Sequence, residues 1–217
     1  MTEQAFEKGA TFFCQGNDFQ YQKNHLNWSW QFKDIHYHNL PFNGLLIQNM
    51  STVLMAITLL QDCLNITPEN IETGLTKINI KGRIQIINEP IIKIFDVSHN
   101  PAAVSLLAKR LKEIPCPGKT RAVFSMLMDK DIVESIRCIK ENVDHWYVAP
   151  LSVKRGASKE TLQEAFHKTH VQTVNYFATI YEAYSLATQE AKPNDRIVVF
   201  GSFHTVADVL QHITVRK

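Results

Sequence analysis

The chain has 217 residues, of which 45% are hydrophobic and 20% are charged, so a packed globular core is predicted and a disordered chain is excluded. The formal net charge of +2 is too small to favour nucleic acid or an anionic membrane as a partner, and no apolar run reaches the roughly 20 residues that a membrane-spanning helix needs. The four cysteines form no CxxC pair, which favours reduced thiols and a cytoplasmic protein.

Aromatic and polar residues alternate in the first 50 positions. The segments DFQYQ, LNWSWQF and DIHYHNLPF predict short antiparallel strands that polar turns connect. From Gln48 onwards the apolar residues recur at helical spacing. Thr67 followed by Pro68 predicts the N-cap and first residue of a second helix, which ends near Lys77.

After Gly82, short apolar segments alternate with segments of helical periodicity. The predicted strands are RIQII, IIKIF, TRAVFSML, HWYVAPL, VQTV and RIVVFGS, and the predicted helices cover approximately 101–114, 129–142, 158–168, 176–191 and 203–213. Strands that alternate with helices of ten or more residues indicate crossover connections and a mainly parallel, doubly wound α/β sheet. We therefore predict a boundary near 80–82, with a small α+β portion over 1–80 and an α/β domain over 81–217.

Polar residues follow four of the predicted strands. They lie at 96–100, 129–131, 154–156 and 202–204. Because ligands of an open parallel sheet bind at the carboxyl ends of its strands, this pattern predicts a single functional rim. Helix capping is the alternative at individual positions, and it is the favoured interpretation for Asn100, which precedes Pro101, and for Asp129. A surface position is the alternative for His204.

Two patterns that suggest ligand binding do not meet the requirements of their motifs. Residues 116–120, CPGKT, contain the Gly-Lys-Thr of a phosphate-binding loop, but Glu113 stands where that motif has glycine. The segment also follows a predicted helix and precedes a strand, so we interpret it as a turn. The histidine pairs at 36/38 and 167/170 lack further acidic or thiol ligands, and we predict no metal site.

Several separated motifs occur in an order that resembles a known enzyme family. GRIQII, with Arg83, followed by the aspartate of FDVSHNP resembles the C-terminal domain of the Mur ligase superfamily. MLMDKDI, WYVAPL, KRGAS and GSFHTVADVL are similar to the bacterial bifunctional dihydrofolate synthase/folylpolyglutamate synthase family, and the resemblance covers nearly the whole chain. It implies a Rossmann-like C-terminal domain preceded by the last portion of the central ATPase domain.

The resemblance implies an ATP-dependent ligase of folate biosynthesis. Such enzymes phosphorylate a folate or pteroate carboxylate, and the amine of L-glutamate then attacks the acyl phosphate. By resemblance, Asn49 approaches the adenine of ATP, Arg83 contacts its phosphates and Asp96 accepts hydrogen bonds from its ribose. A guanidinium suits a phosphate because it stays charged and donates in a fork. Met50 and Ser51 depart from the two alanines that follow the family's asparagine.

The resemblance also assigns residues to the glutamate side of the reaction. His99 resembles the histidine beside the glutamate and the acyl phosphate, and Ser202 and His204 resemble the glutamate-binding turn. The family's phosphate-binding loop, its Mg²⁺ ligands and its carbamylated lysine belong to the N-terminal domain and have no match here. We therefore expect a C-terminal portion that is inactive without the missing N-terminal domain.

The sequence also allows two alternative functions and predicts one property of the surface. The chain could instead be a non-catalytic nucleotide-binding or interaction module, or a fragment of a cell-wall Mur ligase, although GSFHTV and MDKDI disfavour the latter. Four aromatic residues, Trp28, Trp30, Phe32 and Tyr37, would pack against the missing part of the central domain. We expect them to form an exposed patch that promotes self-association.

Overall fold

The computed structural model describes residues 2–78 and 80–214. The chain divides into two compact units, Met1–Asn79 and Ile80–Lys217, and each is described by itself. Within the described ranges, every helix is too short or too polar to cross a membrane.

The N-terminal unit contains a three-stranded antiparallel sheet with the order β1-β2-β3. Its elements are α1 (Thr2–Glu7), β1 (Phe19–Lys23), β2 (Trp28–Phe32), β3 (Ile35–Leu40), α2 (Ile47–Leu59) and α3 (Pro68–Lys77). The three strands lie in the segments predicted from the alternating pattern, whereas α1 was not predicted. Thr67 caps α3 in a reciprocal capping box with Asn70, as its position before Pro68 indicates.

The predicted exposure of the N-terminal aromatic residues is wrong. Trp28, Trp30 and Phe32 are buried in the core of this unit, in a cluster that includes Leu54 of α2. Tyr37 is half-buried and stacks on Trp30 with ring centroids 5.7 Å apart. Because alternate residues of β2 point to the same face, a single helix can cover all three side chains. These aromatic residues therefore do not form the surface that we expected for self-association.

The C-terminal unit contains a six-stranded sheet with the order β4-β5-β9-β6-β7-β8. Its elements in chain order are β4 (Gln85–Asn88), β5 (Ile92–Asp96), α4 (Pro101–Glu113), β6 (Thr120–Phe124), α5 (Ile132–Ile139), a 3₁₀ turn (Lys140–Asn142), β7 (His145–Val148), α6 (Lys159–Thr169), β8 (Val174–Tyr176), α7 (Ile180–Glu190), β9 (Arg196–Phe200) and α8 (Phe203–Thr214). Only β4 pairs in the antiparallel direction among these strands. The predicted mainly parallel α/β sheet is confirmed.

Helices cover both faces of this sheet. Phe124 of β6 packs in a cluster with residues of α4, α5 and α6, and its neighbour Val123 packs with residues of α7 and α8. Every residue of the central strands β6 and β9 is buried, which explains why their sequences are apolar apart from Thr120, Arg121 and Arg196 at the strand starts. Phe124 also meets Trp146 and Phe166 edge-to-face, with centroids 5.7 and 5.9 Å apart, an arrangement that aromatic rings favour.

Two helices begin later than their periodicity predicts. Asp131, not Asp129, caps α5, because its carboxylate accepts the backbone N–H of Glu134 at 3.0 Å. Asp129 instead lies 3.0 Å from Arg155, so the predicted capping role of Asp129 is wrong. Helix α7 also begins later than predicted. It follows a capping box at Thr179, and the predicted first residue, Tyr176, belongs to β8. The segment at 116–120 joins α4 to β6 as the predicted turn.

An ionic network joins β6 and β7 to the residue before β9 and to the end of α7. Arg121 donates to Asp195 at 3.1 Å and to the hydroxyl of Tyr147 at 2.6 Å, and that hydroxyl donates to Glu190 at 2.5 Å. Burial and the hydrogen bond to Glu190 raise the pKa of Tyr147 to about 12, although Arg121 opposes the rise. Burial disfavours the charge of Asp195, but the amides of Lys192 and Lys119 together with Arg121 outweigh it and lower its pKa.

We expect Asp195→Asn to destabilise the chain by about 1–3 kcal/mol at pH 7, because an amide cannot replace both carboxylate oxygens toward these donors. A carboxyl group whose pKa is lowered by folding stabilises the fold above its unfolded pKa of about 4, and this contribution is lost as the pH falls through the folded value. Urea unfolding at pH 7 and at pH 3 should therefore show a difference between variant and parent that shrinks in acid. Asp131→Asn is the control, since asparagine caps a helix as well as aspartate does. Equal stabilities of Asp195→Asn and parent at pH 7 would contradict this account.

Candidate functional site

The order of the strands brings three carboxyl ends together. The chain passes from β5 through α4 to β6, and the last strand β9 returns between them. Phe200 at the end of β9 is in register with Asp96 of β5 on one side and with Phe124 of β6 on the other. This reversal of strand order is the switch point at which open α/β sheets bind ligands. The loops that follow Asp96, Phe124 and Phe200 are therefore the candidate site.

Asp96 lies at the centre of this rim and is buried, with 4% of its surface exposed. One carboxylate oxygen accepts the backbone N–H of Ile84 at 2.9 Å. The other oxygen accepts the backbone N–H of Ser98 at 2.8 Å and also the Ser98 hydroxyl. Asp96 therefore connects the segment before β4 to the loop after β5, and it shapes the site whether or not it touches a ligand.

A second connection fixes the same segment. The backbone N–H of Val97 donates to the carbonyl of Gly82 at 2.8 Å. Gly82 has a φ of +71°, and a Cβ there would lie 2.8 Å from Cγ1 of Val97, so only glycine fits without strain. Arg83 stands between the anchored residues Gly82 and Ile84, and its side chain is exposed. No acidic side chain in the described ranges forms an ion pair with Arg83.

His99 belongs to the loop after β5 and is half-buried. Its Nδ1 lies 3.0 Å from the carbonyl oxygen of Val97. Because a carbonyl oxygen can only accept, Nδ1 carries the proton and Nε2 keeps a lone pair in the neutral ring. Asn100 follows and caps α4, as predicted, by accepting the backbone N–H of Ala103 at 2.9 Å.

The turn after β9 brings Ser202 and His204 to the same end of the sheet. Gly201 has a φ of +110°, and a Cβ there would lie 2.2 Å from the carbonyl oxygen of Ser125, so this close approach requires glycine. Ser202 is buried, and its hydroxyl accepts the backbone N–H of His204 at 3.1 Å. The hydroxyl of Thr205 donates to the same Ser125 carbonyl at 3.0 Å, which fixes the start of α8 against β6. The side chain of His204 is exposed.

An aromatic residue that the sequence did not single out connects two of the predicted site residues. Phe203 is the first residue of α8, and the guanidinium carbon of Arg83 lies over its ring, 5.8 Å from the centroid. The ring centroid of His99 is 6.0 Å from that of Phe203. The sequence signal is the aromatic residue inside GSFHTV, directly after the glycine turn. Arg83, His99 and Phe203 therefore form one contiguous group, which we call the rim triad.

Asn49, the remaining predicted site residue, belongs to the N-terminal unit. It is an exposed residue in the first turn of α2. The predicted contact of Asn49 with adenine stays a prediction, as do the ligand contacts of the residues at 83, 96, 99, 202 and 204. Within residues 2–78 and 80–214, no three or more His, Cys, Asp or Glu side chains form a group that could hold a metal ion.

Comparison with known proteins identifies the family. The profile of the family "Mur ligase, glutamate ligase domain" matches residues 82–203. The dihydrofolate synthase/folylpolyglutamate synthase of Escherichia coli (strain K12) is 37% identical over 215 residues, which are 98% of this chain and 49% of that protein. The chain spans about half the length of the curated relatives it matches, which is consistent with a C-terminal part.

Solved structures agree with this assignment. The structure of E. coli FolC in complex with DHPP and ADP superposes with a TM-score of 0.88 at 33% identity, over 99% of this chain and 50% of that one. A bifunctional folylpolyglutamate synthase/dihydrofolate synthase with Mn, AMPPNP and L-glutamate bound superposes with a TM-score of 0.87 at 35% identity, over 98% of this chain and 50% of that one. The resemblance inferred from the motifs is confirmed. The chain belongs to the Mur ligase family, whose glutamate ligase domain it contains.

Proposed function

We propose that this chain is the C-terminal portion of an ATP-dependent ligase that adds L-glutamate to dihydropteroate or tetrahydrofolate through an acyl phosphate. The observation that carries the proposal is the rim triad, which places a cationic side chain and an imidazole around one aromatic ring at the switch point. The relatives named above support the choice of reaction, since the solved ones bind ADP, AMPPNP and L-glutamate.

In this proposal Arg83 binds the phosphates of ATP. Its backbone is anchored on both sides, by Val97 at Gly82 and by Asp96 at Ile84, while its side chain remains exposed. A guanidinium that has no carboxylate partner among the described residues retains its donors for an anionic ligand. Asp96 has accepted three hydrogen bonds, and a carboxylate offers about four acceptor positions. One position therefore remains for a ribose hydroxyl.

His99 is proposed to act on the glutamate. Attack on the acyl phosphate forms a C–N bond, expels inorganic phosphate and releases a proton from the amine. With Nδ1–H held by the Val97 carbonyl, Nε2 is the atom that can accept a hydrogen bond or proton from the incoming ammonium group. Ser202 and His204 are proposed to bind the glutamate at the start of α8. We place Asn49 near the adenine.

We propose that a partner domain supplies the remaining chemistry. The described residues offer no cluster of metal ligands, and a relative is solved with Mn and AMPPNP, so we propose that a phosphate-loop domain outside this chain holds Mg²⁺ against the phosphates of the ATP that Arg83 and Asp96 contact. Mg²⁺ would neutralise phosphate charge there. The small-molecule partners are then ATP, L-glutamate and a folate or pteroate, and the proposed location is the cytoplasm.

We expect the purified 217-residue chain to show no ATP-dependent addition of glutamate to dihydropteroate or tetrahydrofolate, because the phosphate-binding loop is not in the sequence. The assay should follow phosphate release and the folate product by mass spectrometry, with the E. coli relative as positive control. Sustained turnover by this chain without an added domain would contradict the proposal.

Arg83→Ala is expected to weaken ADP binding about 10- to 100-fold, the effect of removing a charge-assisted phosphate contact. Isothermal titration calorimetry with ADP measures the loss. The matched control is Arg137→Ala in α5, which removes an exposed arginine that pairs with Glu134 on the same helix. Equal losses in the two variants, or none in Arg83→Ala, would exclude Arg83 from the nucleotide site.

We expect Asp96→Asn to weaken ADP binding in the parent and, by a smaller factor, in the Arg83→Ala background. The ribose contact does not need Arg83, so part of the loss should remain there, whereas the part that comes from anchoring Ile84 beside Arg83 should disappear. Thermal unfolding of each variant, with Ser98→Ala as a control that leaves the carboxylate in place, separates binding from loss of the fold. If Asp96→Asn has no effect once Arg83 is absent, Asp96 acts by anchoring Ile84 and makes no ribose contact.

A further inference from the structure

Phe203 is an exposed aromatic residue whose ring contacts two candidate site residues. Its relative exposure is 56%, although it is a large apolar side chain. Arg83 lies over the ring at 5.8 Å, and the ring of His99 is 6.0 Å away with an interplanar angle of 45°. The 5.8 Å separation is within the range of a cation–π interaction.

Core packing does not explain Phe203. A side chain that stays more than half exposed gains little from burial. The start of α8 is also held without the ring: the Ser202 hydroxyl accepts the N–H of His204, and the Thr205 hydroxyl donates to the Ser125 carbonyl. These hydrogen bonds therefore fix the backbone that carries the Phe203 ring, and the ring itself is not needed for that.

The Phe203 ring can restrict the conformations of the Arg83 side chain. Its backbone is fixed, but the guanidinium lies at the end of a long side chain, and ordering it costs up to about 2 kcal/mol of side-chain entropy. No ion pair within the described part of the chain restricts this side chain. Contact with an aromatic face restricts it while leaving the N–H donors, which lie in the guanidinium plane, available to a ligand.

We propose that Phe203 is a positioning residue that holds the guanidinium of Arg83 and the imidazole of His99 beside one aromatic ring, so that Arg83 faces a phosphate group and His99 faces the amine that attacks next to it. This inference rests on the proposed function, in which Arg83 binds the phosphates of the nucleotide and His99 accepts from the ammonium group of glutamate. Phe203 makes no bond in the reaction. It determines where the two polar side chains stand before the ligand arrives.

The first test is ADP binding by the full 217-residue chain, measured by calorimetry. An exposed cation–π contact corresponds to about a twofold to fivefold change in affinity, so Phe203→Leu should weaken binding by that factor. Phe203→Tyr keeps the ring and should bind as the parent does. In the Arg83→Ala background, Phe203→Leu should have no further effect on ADP binding, because Arg83 is the member of the rim triad that is proposed to contact phosphate. Phe6→Leu is the control, a phenylalanine that is 88% exposed in α1.

The second test needs no ligand. Proton resonances of the His99 ring and of the Arg83 Nε–H should both shift in Phe203→Leu, because the ring current is lost, and should stay nearly in place in Phe203→Tyr. Unchanged resonances in Phe203→Leu would overturn the inference. So would a loss of affinity that is equally large when Arg83 is already alanine. If the parent binds no ADP, the nucleotide part of the proposed function fails, and the resonances alone decide whether Phe203 positions the two side chains.

Discussion

The candidate site depends on the carboxylate of Asp96, which is buried where β5 ends. It accepts backbone N–H groups from Ile84 and Ser98, residues on opposite sides of the β4–β5 hairpin. A buried carboxylate is stable only when donors surround it, so this set of hydrogen bonds fixes both segments at once. Arg83 is presented by the first segment and His99 by the second. The two side chains that carry the proposed chemistry therefore owe their positions to one acidic group.

The topology of the sheet supplies the third member of the rim triad. The last strand, β9, returns to the centre of the sheet. It lies between β5 and β6, which α4 connects along the chain. Phe203 consequently reaches the loop after β5, although more than 100 positions separate it from Arg83 in sequence. Gly201 lets the turn that precedes Phe203 pass close to the end of β6, because a side chain at that position would collide with the Ser125 carbonyl. The candidate site and a packing constraint thus occupy a single turn.

Local patterns predicted much of this architecture, and long-range contacts account for what they missed. Asn100 and Thr67 cap their helices as their position before proline indicates, since capping needs only neighbouring residues. Asp129 was misassigned because a distant residue, Arg155, pairs with it. The N-terminal tryptophans were expected to be exposed, yet α2 covers them within the same unit. Phe203 was missed for the same reason, because its contacts with Arg83 and His99 appear only after the sheet is assembled. No local spacing encodes them.

A structure of this chain with bound ADP is the most direct test of the central claim that the rim triad forms a nucleotide-phosphate site. The account predicts a phosphate oxygen within about 3 Å of the Arg83 guanidinium, a normal hydrogen-bond distance, with that side chain still lying over Phe203. Nucleotide bound away from the carboxyl ends of β5 and β9, with Arg83 making no phosphate contact, would contradict it.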